Sequence, residues 1–155
     1  MADKSTVLEG NDLKVIEQNK DIYRQYIQEI FNEGRLERLE HLVSSSYVYR
    51  DPPPGTPPNA EGVKQVVIAA RKAFPDLKVT IDDMIGEGDK VCARLTTRGT
   101  HKGTFFDVPA SGKSIAMKGF TMIRIVDRML VESWVQNDVM GLMSQIGAGS
   151  KNRLD

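Results

Sequence analysis

The sequence is short of several things, and each shortage excludes something. One of its 155 residues is a cysteine, Cys92, so no internal disulfide can form and a reducing, cytoplasmic setting is expected. Its two histidines, His41 and His101, stand far apart with no HExxH or CxxC spacing, so no metal is expected. Gly-x-Ser-x-Gly is absent, which removes support for an α/β-hydrolase nucleophile. Neither sign of charge is in excess: 21 Lys plus Arg stand against 21 Asp plus Glu. A neutral chain has no general pull toward nucleic acid or an anionic membrane, and neither is expected as a partner. Long apolar runs are missing too. The longest, Val66 to Ala70, falls far short of a membrane span, and Met1 to Asp12 lacks the apolar centre of a signal peptide.

What remains is an ordinary globular composition, 40% hydrophobic and 27% charged, in a length that suits one domain. Residues 1–10 carry no periodicity and read as a loose tail; 11–147 read as the domain and 148–155 as a second tail. From Asn11, the residues Leu13, Ile16, Tyr23, Tyr26, Ile27, Ile30 and Phe31 recur at helical spacing, and Gly34 stops the helix. A shorter helix carries Leu36, Leu39, Leu42 and Val43 inward and ends at Ser44 to Ser46. Tyr47 to Asp51 is a short β-prone piece, broken by the proline-rich loop Pro52 to Pro58. Asn59 then caps a third helix that runs to Pro75.

Beyond Pro75 the chain alternates with period two. Strands are expected from Leu77, across the turn Gly86 to Asp89, through Val91 to Arg98, then Lys113 to Val126 and Leu130 to Asp138. Val139 to Ile146 reads as a closing turn of helix. Three helices followed by a four-strand meander predict an α+β fold. In it a curved antiparallel sheet of four or more strands is wrapped by the N-terminal helices around one pocket.

The last strand carries the most informative mixture. By alternation Trp134, Gln136 and Asp138 share one face. An indole, an amide and a carboxylate suit neither plain core nor plain surface, and a pocket wall accounts for all three. Asp138 also stands just before a helical turn, where it would serve as an N-cap. His101, in Gly99 to Gly103, has both a structural and a functional reading, and Arg50 with Asp51 reads as a surface ion pair or as part of a site.

These segments resemble, in order, the SnoaL-like polyketide cyclases, a branch of the cone-shaped nuclear transport factor two-like folds. The resemblance is carried by Phe31-Asn32-Glu33-Gly34, Tyr47 to Asp51, Ala73-Phe74-Pro75-Asp76-Leu77 and Gly88-Asp89-Lys90-Val91. It continues through Gly99 to Gly103, Pro109 to Lys113, and Glu132 to Asp138. It implies a cofactor-free enzyme acting on a small apolar, polyketide-like carbonyl compound, with Asp138 as general base assisted by His101. Trp134, Gln136, Arg50, Tyr49 and Asp51 would contact substrate, and the chain would form a homodimer through its open sheet face. An isomerase or an epoxide hydrolase is the alternative within enzymes, and a non-catalytic small-molecule carrier is the alternative outside them.

Overall fold

A computed structural model describes residues 10–148. The tails expected at 1–10 and 148–155 lie outside this range except for Gly10 and Ala148. Helix α1 spans Gly10–Tyr26 and buries Ile16, Tyr23 and Tyr26 as its spacing predicts, together with Asn19 and Ile22, whereas Leu13, expected on the same stripe, is exposed in the first turn. It widens into a π-helical turn, Ile27–Asn32, that stops before Gly34 at φ +68. The carbonyls left open at that end are taken up by Arg71, whose guanidinium donates to Phe31 O and Asn32 O at 2.9 Å each. The Asn32 side chain in turn accepts from Val79 N at 2.7 Å and donates to Val79 O at 3.0 Å, so the helix end is stitched to a strand as a second strand would be.

A 3-10 turn, Leu36–Arg38, leads into the short α2, Leu39–Leu42, and β1 follows directly as Val43–Arg50. Ser44 to Ser46, expected to end a helix, therefore lie inside the strand; the buried Val43, Tyr47 and Tyr49 give that strand its inner face. After the proline loop comes α3, Ala60–Ala73, whose cap is Asn59, accepting from the backbone of Glu61 and Gly62. The remaining strands are β2 (Lys78–Glu87), β3 (Lys90–Thr100), β4 (Ser114–Val126) and β5 (Met129–Asn137), and α4 (Val139–Gln145) closes the fold.

The five strands form one curved sheet in the order β1-β5-β4-β3-β2. The expected meander is its antiparallel body, and β1 adds a strand parallel to β5, a pairing that period-two patterning cannot signal. Register shifts between Val43 and Val48, Ile81 and Asp83, and Arg124 and Ile125 each bend the ladder, as bulges do. The sheet therefore curls, with α1 and α3 over its concave side, and the core fills the space between them. Among the described residues no helix is long and apolar enough to cross a membrane.

Candidate functional site

The concave side is not filled completely. A cavity of about 430 Å³ lies between the sheet and the helices. Its floor comes from alternate residues of three strands: Leu95 and Thr97 on β3, Met117, Thr121 and Ile123 on β4, and Ser133, Val135 and Asn137 on β5. Tyr23, Tyr26 and Phe31 face them from the first helix, Val66 and Ala70 from α3, and Tyr47 and Tyr49 from β1. Among the described residues no Asp, Glu, Lys, Arg or His lines it.

Polarity in this wall is therefore hydroxyl and amide polarity. The chain has four tyrosines and all four line the cavity. Tyr23 shares a 2.7 Å hydrogen bond with Thr121 Oγ1, and Tyr47 shares a short one with Ser133 Oγ. Burial pushes the Tyr47 hydroxyl up to about 12 and raises Tyr23, Tyr26 and Tyr49 above the ordinary tyrosine value as well. These are neutral phenols at physiological pH.

The mouth is built from loops. Pro53 and Pro54 stand at its edge, with Val139 at the start of α4. Phe105 and Phe106 come from the segment between β3 and β4. There, paired backbone hydrogen bonds between Phe105 and Val108, at 3.0 and 2.9 Å, close a two-residue turn. Its central residues, Phe106 and Asp107, have φ of 44 and 61. Such turns favour Gly or Asn, and a phenylalanine there is strained; it leaves the Phe106 ring 57% exposed beside the cavity.

The residues singled out from the sequence distribute as follows. Tyr49 lines the cavity; Trp134, Gln136, Asp138, His101, Arg50 and Asp51 do not. On β5 the inner set is Ser133, Val135 and Asn137, so the expected pocket face is corrected by one residue, and Trp134 and Gln136 lie on the opposite, convex face. Pairing fixes this parity: Tyr49 is in register with Ser133, and Arg50 with Trp134. Arg50 then reaches Glu132, at 2.7 Å, rather than Asp138, and Arg124 holds the same carboxylate at 3.1 Å. These guanidiniums, Arg50 first, hold the Glu132 carboxyl below the ordinary glutamate value. Asp51 is exposed at the strand end with φ 49.

Asp138 follows the last strand residue and is exposed. It is the N-cap of α4, its Oδ1 accepting from Gly141 N at 2.8 Å. Both of its chain neighbours, Asn137 and Val139, line the cavity, so it stands at the rim. Two glycines make this corner possible. A Cβ at Gly119 would lie 2.0 Å from Asn137 Oδ1, and one at Gly141 would lie 2.2 Å from Asp138 Oδ2.

His101 is fully buried behind the wall, its ring 5.5 Å from that of Phe74. Ser111 N donates to Nδ1 at 3.2 Å, which assigns the imidazole proton to Nε2, and Nε2 has no hydrogen-bond partner. Backbone bonds from His101 N to Lys113 O and from Gly112 N to His101 O close the same neck. His101 thus anchors the loop that carries Phe105 and Phe106.

The sequence reading missed Tyr23, Tyr26, Tyr47, Thr121, Ser133 and Asn137. A signal was present: Tyr23 and Tyr26 are three apart on a helix, and Tyr47 and Tyr49 two apart on a strand, so each pair shares a face.

A curled sheet with helices over its hollow side defines the class, the cone-shaped α+β folds of the nuclear transport factor two-like group. The chain belongs to the SnoaL-like polyketide cyclase family, whose profile matches residues 20–146. IdmH of Streptomyces antibioticus, described as a provisional polyketide cyclase, is 34% identical over 84% of this chain and 99% of its own, with a TM-score of 0.73. TsrD of Streptomyces laurentii is 26% identical over 91% and 98%, with a TM-score of 0.75. AclR of Streptomyces galilaeus, described as a provisional hydroxylase, is 23% identical over 85% and 82%, with a TM-score of 0.74; it shares the fold alone. No curated protein matches the sequence.

Proposed function

We propose that this protein is a cyclase that holds a small, largely apolar, polyketide-like carbonyl compound in the cavity and closes a ring on it. The observation that carries the reading is the cavity, about 430 Å³ of aromatic and aliphatic wall with hydroxyl groups and no charge. Such a wall suits a compact oxygenated hydrocarbon and disfavours a charged metabolite.

The general base is assigned to Asp138. It removes a proton from a carbon flanked by carbonyl groups; the enolate carbon attacks a second carbonyl of the same molecule. The proton then returns to the new alkoxide. The substrate's own carbonyls accept the electrons, so this chemistry calls for no cofactor. Asp138 supports the role by its place between two cavity-lining residues, and one of its oxygens, Oδ2, accepts no hydrogen bond among the described residues. Swinging inward gives up the bond to Gly141, which costs about 1 kcal/mol, the worth of an N-cap.

A carrier that binds without reacting is the second reading, favoured by the lack of any carboxylate or imidazole in the wall. Poly-β-ketone thioester analogues, followed by mass spectrometry and binding titration, separate the two. Asp138→Asn is expected to slow ring closure about 100-fold or more while leaving binding unchanged. Equal closure by the variant removes the base assignment, and binding by wild type without closure leaves a carrier.

The same reading includes a homodimer through the convex sheet face. Phe120 and Met122, 56% and 38% exposed, stand in register with Gln136 and Trp134 on one side and Arg94 and Cys92 on the other. Arg94 lies 3.7 Å from Asp82, so both signs of charge border the patch, as a self-complementary face requires. Sedimentation of Met122→Glu should give the monomer mass where wild type gives twice that; a monomeric wild type would refute the pairing.

A further inference from the structure

Two of the four cavity tyrosines have their hydroxyls accounted for, Tyr23 by Thr121 and Tyr47 by Ser133. Tyr26 and Tyr49 do not: neither hydroxyl has a hydrogen-bond partner among the described residues. The residues are only 5% and 7% exposed, and both line the cavity. Among the described residues the one sealed side-chain polar atom without a partner is His101 Nε2, so the two phenol oxygens are not sealed off, and the cavity is the space they line. A nearly buried hydroxyl without a partner is a cost to the empty protein that an acceptor in the cavity would remove. The Tyr23 ring stacks 6.0 Å from that of Tyr26, the Tyr49 backbone is in register with Ser133, and all four tyrosines line the same cavity.

We infer that Tyr26 and Tyr49 form an anchor for an enolisable oxygen, holding a ketone or 1,3-dicarbonyl group and gripping it more tightly as it becomes the enolate. This rests on the reading of the cavity as a cyclase-type site. Hydrogen bonds to a charged acceptor are roughly twice as strong as those to a neutral one, so the anchor favours the charged form. The donors keep their own protons, because the same burial that removes water from the phenols suppresses their ionisation. With no cation in the wall among the described residues, the developing charge is met by neutral donors, and these two phenols are the nearly buried ones without a partner. The anchored end of the ligand is therefore planar and oxygenated, and the rest lies against aliphatic and aromatic wall.

The full-length protein can be tested with 2-naphthol, a planar oxygen acid shaped like an enol, against naphthalene, which has the same apolar body. Wild type is expected to bind naphthol about tenfold more tightly, the value of roughly one good hydrogen bond. Tyr26→Phe and Tyr49→Phe should each remove most of that preference, and naphthol bound to either variant should ionise at a higher pH than naphthol bound to wild type, read from the naphtholate absorbance, while naphthalene affinity stays within about twofold, which also reports an intact cavity. Equal binding of the two probes, or a preference that survives both substitutions, overturns the anchor but leaves the cavity as a binding site. Failure of both probes to bind overturns the anchor and the cavity reading together.

Discussion

Because every tyrosine of the chain lines one cavity, tyrosinate absorbance at alkaline pH reports on that cavity selectively. A phenol with an ordinary value of 10 in the unfolded chain is raised to about 12 for Tyr47 in the folded protein, and burial raises the other three as well. The sign follows directly. The contribution is fully present below pH 10 and is lost as pH rises through the folded values, because the unfolded chain releases its protons first. Each silent tyrosine then withdraws about 1.4 kcal/mol per pH unit, so Tyr47 alone accounts for roughly 3 kcal/mol across two units. The other three act in the same direction, against a typical total stability of about 5–15 kcal/mol. A stopped-flow jump from neutral pH, with tyrosinate absorbance and circular dichroism read together, should show no fast tyrosinate formation at or just above pH 10. The absorbance should rise only with loss of fold. Tyr26→Phe, which removes a hydroxyl that has no partner, should make the alkaline loss less steep. A tyrosine that ionises in the dead time near its ordinary value while the fold stays intact would refute the burial argument for the cavity tyrosines.

The stitch between the π-helical turn and β2 should show in thermal melts: Asn32→Ala removes both bonds to Val79 and costs about 2–3 kcal/mol, a fall in Tm of about 5–10 °C for a chain of this length. Glu132, held below its ordinary 4.5 by Arg50 and Arg124, contributes stability above that pH that is lost as pH falls through its lower folded value. Urea melts from pH 6 to pH 3 should therefore be less pH-dependent in Glu132→Gln than in wild type; parallel curves would remove the ion pair from the ledger. Gly141→Ala pushes the Asp138 carboxylate off its cap while gaining up to about 1 kcal/mol of helix propensity. Its Tm should stay near wild type, and its effect should be non-additive with Asp138→Asn; strict additivity would mean that the two sites do not touch.

How far the sequence carried the reading depended on the reach of each signal. Local signals held. The helical stripe of α1, the Asn59 cap, the proline break and the alternation of β2 to β5 are each decided within a few residues, and the folded chain keeps them. What was lost depended on partners distant in sequence. The parallel pairing of β1 with β5 joins segments more than eighty residues apart, and nothing in Val43 to Arg50 alone names its neighbour. The site was misplaced for a related reason. Alternation tells which β5 residues share a face but not which face is hollow, and the indole of Trp134 drew the pocket to the wrong one. Glu132 held the correction. It shares the parity of Trp134 and Gln136, and the Arg50 and Arg124 that neutralise it lie on the convex face in β1 and β4. An acidic residue in mid-strand, with arginines at matching parity in its neighbours, marks the solvent side more surely than a tryptophan marks the pocket side. The tyrosines follow the same logic in reverse. Four aromatic residues that each carry one hydroxyl, placed in same-face pairs on the two elements flanking the hollow, are an economical way to give an uncharged cavity its polarity.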